Sequence, residues 1–464
     1  LAGSGRADID LLIWTNHWTP NPPGVWGGDG HLYTKKAPGI SFLVAPLIWL
    51  GQSLPGLNAV HVGLLTNAIV TALTAGLLLF WLTDLGFSRR IAGLSALVYG
   101  LGTIAWVYAR MFWESSLLAL FFLIAVWAVY RGRATGLLPR GKRLAWLLLA
   151  GVAGAVGLTL RFEAVAAVIF VGLYLLWEEL HRSSDTVALN GTGQPFAKRL
   201  ADSLPALAVY ALPTLLVAVG LVWFNLARFG SLTETGYSRE LLFRAPWVGS
   251  FGLLFSPGRG LFIFSPVLLL LFLGLRPAWR RVPRAYFWLI AAICLFYWLF
   301  YGAWFAWGGT WGWGPRFLLP ILPLLMLFVA EPLVWASRQV GGRRWLAWSA
   351  IGGLMLLSMG ANVLGVAVDF NEHFLRLGRN DDFVFNWAAA PLLGHWQILQ
   401  EGLVDLIWLR SQDGGLAIIW PVLLSPLLLA LLAGFGVLLT LKISNEQLAM
   451  NNEQLAMNKL IIVN

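Results

Sequence analysis

One cysteine, Cys294, serves the whole 464-residue chain. A lone thiol excludes an internal disulfide and leaves no cysteine pair for a metal. Charge is scarce too. Asp, Glu, Lys and Arg make up 12% of the residues, against ~25% in a soluble globular domain, which excludes that class. Catalytic signatures are also missing. There is no Walker loop to support direct drive by ATP and no nucleophile elbow. The six histidines show no zincin spacing, and His31, His61 and His373 read as ordinary polar or interface residues.

What the chain has is hydrophobicity: 58% of residues are hydrophobic and the mean hydropathy is +0.73. A helix crosses a bilayer with about 20 apolar residues. Such runs recur at 57–82, 91–109, 115–130, 144–160, 164–177, 205–227, 259–275, 285–302, 317–336, 345–368 and 416–441. The fold class predicted is an all-α polytopic membrane protein with about eleven transmembrane helices. Tryptophan, 26 in number, suits the membrane interface. The sequence begins with Leu rather than Met, and a twelfth span is expected upstream of residue 1. Segment 37–51 is apolar but short and carries Pro38 and Pro46, so it reads as an exoplasmic interfacial or re-entrant helix.

Charge sorts the loops. Arg89 and Arg90, Arg131 to Arg143, Arg182 to Arg199, Arg276 to Arg284, Arg338 to Arg344, then Lys442 and Lys459 fall on alternate loops where basic residues outnumber acidic ones. By the positive-inside rule this face is cytoplasmic. The net charge of +10 follows that face, so no nucleic-acid partner is expected. The long loops 1–56, 228–258, 303–316 and 369–415 are then exoplasmic, and function belongs there. Four parts follow: 1–56, an exoplasmic loop with an interfacial helix; 57–336, the transmembrane core; 337–441, C-terminal helices with loop 369–415; and 442–464, a low-complexity cytoplasmic tail built on a duplicated NEQLAMN.

The exoplasmic face carries five constellations, each with a plainer alternative. Asp29 to Gly39 joins a polar loop to the interfacial helix, and Lys36 adds charge to the free N–H groups of a helix start; alternatively Lys36 only snorkels. Arg110-Met111-Phe112-Trp113-Glu114 joins two spans, and Glu114 is either a carboxylate facing a cavity or the helical partner of Arg110. Arg161-Phe162-Glu163 repeats that pattern, with a paired helix end as the alternative. Arg259, among glycines in SPGRG, offers a donor fork suited to phosphate. Trp304 to Arg316 interleaves Trp307, Trp311 and Trp313 with glycines and ends on Arg316. It reads as an aromatic platform for a sugar or as an ordinary interfacial belt. Loop 369–415 offers Asp369, Glu372, Asp381, Asp382, Trp387 and His395 as acceptor determinants or as a solvated acidic surface.

At these residues the chain resembles the GT-C superfamily of membrane glycosyltransferases, near the family 39 group of protein O-mannosyltransferases and lipid A aminoarabinose transferases. GHLYTKKAPGISFLVAP is similar to the family segment GHYYSDKAPG, with Lys36 at the phosphate-facing lysine and Lys35 where an acidic residue is usual. YARMFWESSL resembles the segment of the family's second essential carboxylate, which falls on Glu114. LFSPGRGLFIFSP and WGWGPRFLLP resemble further stretches of its members. The resemblance covers most of residues 25–330. It implies transfer of a sugar from a polyprenyl-phosphate donor on the exoplasmic side, in the inner membrane of a bacterium. The family's first carboxylate, which follows its first span, is expected upstream of Leu1; of the acids that remain there, Asp8 and Asp10 lie past the expected position.

The expectation is therefore one exoplasmic pocket. Lys36, Arg110, Arg161, Arg259 and Arg316 would hold the donor phosphate, Glu114 or Asp29 would act as catalytic carboxylate, and Trp307, Trp311 and Trp313 would cover the sugar. Membrane lipids are partners. The acceptor is open between a glycan, a lipid and a protein. No cofactor is implied and no metal ligand is assigned, although a divalent ion such as Mg²⁺ needs few protein ligands. The rival class is a transporter or flippase, which midplane charge would favour; Glu331 is the one acid well inside a predicted span.

Overall fold

A computed structural model describes residues 8–10, 24–53, 58–133, 138–188, 196–237, 240–309, 311–378, 381–406, 409–412 and 415–418. The chain divides into two units, Leu1–Leu406 and Ile407–Asn464. In the first, a short antiparallel hairpin, β1 (Gly24–Trp26) and β2 (Leu32–Thr34), leads into helix α1 (Gly39–Gln52). There follow α2 (Ala59–Asp84), α3 (Arg89–Gly102), α4 (Ala105–Ala109), α5 (Glu114–Arg131), α6 (Arg140–Leu160), α7 (Ala164–Ala188) and α8 (Phe196–Phe229). Then come α9 (Trp247–Phe255), α10 (Leu261–Phe264), α11 (Leu271–Arg281), α12 (Arg284–Ala303), α13 (Leu322–Arg338), α14 (Gly341–Ala367), α15 (Phe370–Arg376) and α16 (Pro391–Gln400). In the second unit β3 (Leu409–Gln412) pairs antiparallel with β4 (Gly415–Ile418). The predicted last span would begin at 416, where β4 stands instead; its residues 419–441 and the tail 442–464 lie outside the described residues.

The all-α polytopic architecture is as expected. Among the described residues, 8 helices are long and apolar enough to cross a membrane, and each matches a predicted span. Two other predicted spans are broken. In 91–109, α3 stops at Gly102 and Thr103 is extended; its hydroxyl donates to the Tyr99 carbonyl at 2.6 Å and accepts from Ala105 N–H at 3.2 Å. In 259–275, Pro266 lacks an N–H and opens a 3-10 turn, Pro266–Leu270, between α10 and α11. Helix α14 satisfies the freed backbone groups, as lipid requires: Ser358 accepts from Val267 N–H at 2.8 Å, and Asn362 donates to the Phe264 carbonyl at 3.0 Å.

Burial orders the bundle. The segment Arg316–Arg338 is buried along its whole apolar window, whereas Phe196–Phe229 is 11% buried and turns Leu215, Leu216, Val219 and Trp223 outward. Helix α13 approaches α11 at Gly274, where a side chain would meet the Phe328 carbonyl. Helix α1, 14 residues long with Pro46 inside, exposes Phe42, Leu47, Trp49 and Leu50. At ~1.5 Å per residue it is too short to cross and fits the interfacial role.

Ion pairs join loops of the same predicted face. At one end Arg131 holds Asp84, Arg143 holds Glu179, and Arg281 holds Glu331. At the other, Lys36 and Arg161 hold Glu114, Lys35 holds Glu240, and Arg110 holds Asp405. Glu331 is thus tied to the basic end of α11, two turns before α13 ends, rather than to a midplane partner.

Candidate active site

The site is assembled where α1 meets α6. Gly39 opens α1 and lies so close to Thr159 that an added Cβ would stand 2.3 Å from Thr159 Oγ1 and 2.6 Å from its backbone carbonyl. This contact sets Lys36, three residues earlier, beside Arg161, two residues later. The intervening loop is fixed by Thr34, whose Oγ1 accepts from Lys36 N–H at 3.2 Å and whose carbonyl accepts from Arg228 at 2.8 Å.

Glu114 is the focus. It begins α5 and is 6% exposed. Its Oε1 accepts from Lys36 Nζ at 3.1 Å and from Arg161 at 2.9 Å. Arg161 Nε also donates to Glu163, which takes a further bond from the Tyr301 hydroxyl. Lys36 stands 5.2 Å from the Trp113 ring centre and Arg316 4.4 Å from the same centre, so one indole carries two cations. Arg316 donates to the Trp311 carbonyl, while its buried Nε has no hydrogen-bond partner.

A cavity of about 280 Å³ opens on this cluster. It is lined by the polar residues Lys36, Glu114, Arg161, Glu163, Tyr237, Glu240 and Tyr301 and by the apolar Phe243, Phe296 and Phe300. Lys36 keeps 42% of its side chain open. Burial lowers its pKa; Glu114 opposes the shift, and Arg161 and Arg316 reinforce it. Burial also works against the charge of Arg161, yet Glu163, Tyr301 and Glu114 hold its pKa well above the usual value. Burial raises Tyr237 to about 12, which keeps its hydroxyl a donor.

Lys36, Glu114 and Arg161 line one cavity, and Arg316 adjoins them across Trp113 without lining it; four other predictions need correction. Arg110 does not pair with Glu114. The helix breaks between Ala109 and Glu114, which removes the i, i+4 geometry, and Arg110 instead binds Asp405 and the Val366 carbonyl. Arg259, 1% exposed, spends its guanidinium on the carbonyls of Gly308, Gly309 and Gly312. It holds the Trp-Gly loop rather than a phosphate. Asp29 is not among the cavity residues; it caps the β1–β2 turn, accepting from Tyr33 OH at 2.6 Å and His31 N–H at 3.1 Å. The tryptophans form no open platform. Trp313 is wholly buried against Phe264 and His395, Trp307 is half-buried and wedges against Gly249 and Gly252, and Trp311, 37% exposed, packs on Phe374.

Sequence reasoning passed over Tyr301, Tyr237 and Glu240. A tyrosine at the end of a predicted span, on the predicted exoplasmic side, was the available signal for Tyr301. Lys35 pairs with Glu240, whose backbone carbonyl accepts from Trp304 Nε1 at 2.8 Å. Away from the cavity, Asp8, Asp10 and His31 bring one potential metal-ligand atom each within 4.8 Å of one another. His31 and Asp10 are 2.6 Å apart, and this contact raises the His31 pKa. Asp10 also accepts from Leu32 N–H at 2.7 Å.

Residues 36–190 match the family described as dolichyl-phosphate-mannose-protein mannosyltransferase. No curated protein matches the chain. Among solved structures it is similar to ArnT from Cupriavidus metallidurans in the apo state, at 14% identity over 84% of this chain and 69% of that one, with a TM-score of 0.42. It is similar to ArnT bound to undecaprenyl phosphate at 14% identity over 84% and 70%, with a TM-score of 0.41. A third likeness is to the Archaeoglobus fulgidus oligosaccharyltransferase in complex with Zn and sulfate, at 13% identity over 72% and 45%, with a TM-score of 0.43. The stretch that matches that family carries Lys36, Glu114, Arg161 and Glu163.

Proposed function

We propose that the protein transfers a sugar from a polyprenyl-phosphate-linked donor to an acceptor hydroxyl at the exoplasmic surface of a bacterial inner membrane. The observation that carries this reading is the convergence of Lys36 and Arg161 on buried Glu114, in a cavity also lined by Phe243, Phe296 and Phe300. That combination fits a lipid phosphate: charge for the phosphate, aromatic surface for the first isoprene units. The matched family, described by a dolichyl-phosphate-linked sugar, supports the same donor class.

The reaction follows from the charges. Lys36 and Arg161, with Arg316 behind Trp113, offset the charge that grows on the donor phosphate as its bond to the anomeric carbon breaks. The acceptor oxygen forms the new bond to that carbon. Its proton passes to Glu114 as general base, and polyprenyl phosphate leaves. Tyr301 and Glu163 position Arg161, and Tyr237, which lines the cavity, supplies a hydroxyl donor for the sugar. Arg110, Arg259 and Asp29 have no step in this scheme.

A synthetic polyprenyl-phosphate sugar supplied to the protein in vesicles tests the reading. Consumption of the donor with formation of a new glycosidic bond, reduced in a Lys36→Ala variant, is the expected result. Donor that crosses the bilayer intact, with no new bond formed, would establish the transporter instead.

A further inference from the structure

A second built feature lies at the other end of the bundle. A surface pocket of about 690 Å³ is lined by Leu85, Arg276, Pro277, Arg280, Arg281, Glu331 and Arg338. Arg281 is accounted for: it holds Glu331 through two nitrogens, reaches the Gly86 carbonyl at 3.4 Å and lies 4.1 Å from the Phe87 ring centre. Arg276, Arg280 and Arg338 are not. Among the described residues, no carboxylate lies within ion-pair distance of any of the three.

Arginines at a cytoplasmic helix end are ordinary, and the negative ends of the α11 and α13 dipoles favour them. Neither effect requires that three guanidiniums from two helices face one concavity, where like charges repel. An anion placed among them relieves that repulsion. No helix N-terminus contributes, so the guanidiniums alone would hold it, and they are shaped for the oxygens of a phosphate.

The helix also indicates where the anion comes from. Phe272, Arg276 and Arg280 follow at intervals of four and share one face of α11. Phe272 is 59% exposed and neighbouring Leu273 67%. Along one helix face the surface therefore runs from bare hydrocarbon to paired guanidiniums, which is the profile of a lipid from acyl chain to headgroup. We propose that this pocket binds the phosphate headgroup of an anionic phospholipid of the surrounding leaflet, whose acyl chains lie along Phe272 and Leu273. The site is separate from the glycosyl-transfer cavity and does not depend on it.

The test uses the full chain in nanodiscs made from equal parts of phosphatidylglycerol and phosphatidylcholine, followed by native mass spectrometry of the lipids that remain bound. Phosphatidylglycerol should be retained in preference, and Arg276→Gln with Arg338→Gln should reduce that preference about tenfold or more. Arg280, Arg281 and Arg284 remain in that variant to preserve the orientation signal. Two results overturn the proposal: equal retention of phosphatidylglycerol by variant and wild type, or its displacement by millimolar inorganic phosphate, which would make the site one for a soluble anion. Should the double variant fail to insert, Phe272→Asp alone decides. Loss of retained phosphatidylglycerol supports the proposal, and unchanged retention overturns it.

Discussion

Lys36 lies 3.1 Å from Glu114 although 78 positions separate them in sequence. The pair exists because an interfacial helix is pinned to the end of α6 at Gly39, and because the break after Ala109 turns Glu114 inward. Around it the cations Lys36, Arg161 and Arg316 face the carboxylates Glu114 and Glu163. The cluster is left with one positive charge in excess. A phosphodiester donor brings one negative charge, so its arrival neutralises the site.

Replacement of Glu114 by Gln keeps the shape and removes the base. Turnover should fall about 10²- to 10⁴-fold. Donor affinity should hold or improve, because Lys36 and Arg161 keep their charge and lose a competing anion. Steady-state kinetics that separate kcat from the donor KM read both. A rise in KM at unchanged kcat would mean that Glu114 binds rather than reacts.

The pH dependence follows from Lys36. Burial sets its pKa below the ordinary lysine value of 10.5, and only the ammonium form attracts phosphate. Activity is therefore full below the lowered pKa and falls as pH rises through it. Because kcat/KM reports the free enzyme, its alkaline limb should begin below 10.5. Lys36→Arg should move that limb upward, since a guanidinium stays charged. An alkaline limb unmoved by this substitution would exclude Lys36 as its source.

The sequence revealed the membrane class and four members of the cluster because each leaves a local mark: a long apolar run, or a charge beside a span. It did not reveal which charges meet. Arg110, between two predicted spans, looked like a phosphate ligand or the helical partner of Glu114, and nothing in ARMFWE shows that its guanidinium turns to Asp405. Arg259 and Arg316 look alike in sequence, each an arginine in a glycine-rich stretch at a span entrance. One is spent on three backbone carbonyls and the other faces Trp113. Trp313 and Trp311 differ by two positions, yet one is core and the other surface. Tertiary packing decides such distinctions, and period or composition does not encode them.

Arg259 makes a stability prediction. Its removal orphans buried carbonyls at Gly308, Gly309 and Gly312, at about 1–3 kcal/mol for each acceptor left unpaired. Arg259→Ala should lower the thermal midpoint in detergent clearly. Donor affinity per folded molecule should stay near wild type, in contrast to Lys36→Ala. A selective loss of donor affinity with normal stability would restore Arg259 to the phosphate site.

Gly39 provides the sharpest test of how the site is built. A methyl group there would stand 2.3 Å from Thr159 Oγ1 and 2.6 Å from the Thr159 carbonyl carbon and oxygen. Backbone cannot yield as a side chain can, so Gly39→Ala must push α1 away from α6, at an overpacking cost of about 1–3 kcal/mol. Lys36 moves with α1 and leaves Glu114. The donor KM should rise more than kcat falls, because the phosphate ligand is displaced while the base stays in place. Adding Thr159→Ala removes the hydroxyl but leaves both backbone atoms, so it should not rescue the variant. Full rescue by Thr159→Ala would show that the side chain, not the close approach of the two backbones, sets the position of Lys36.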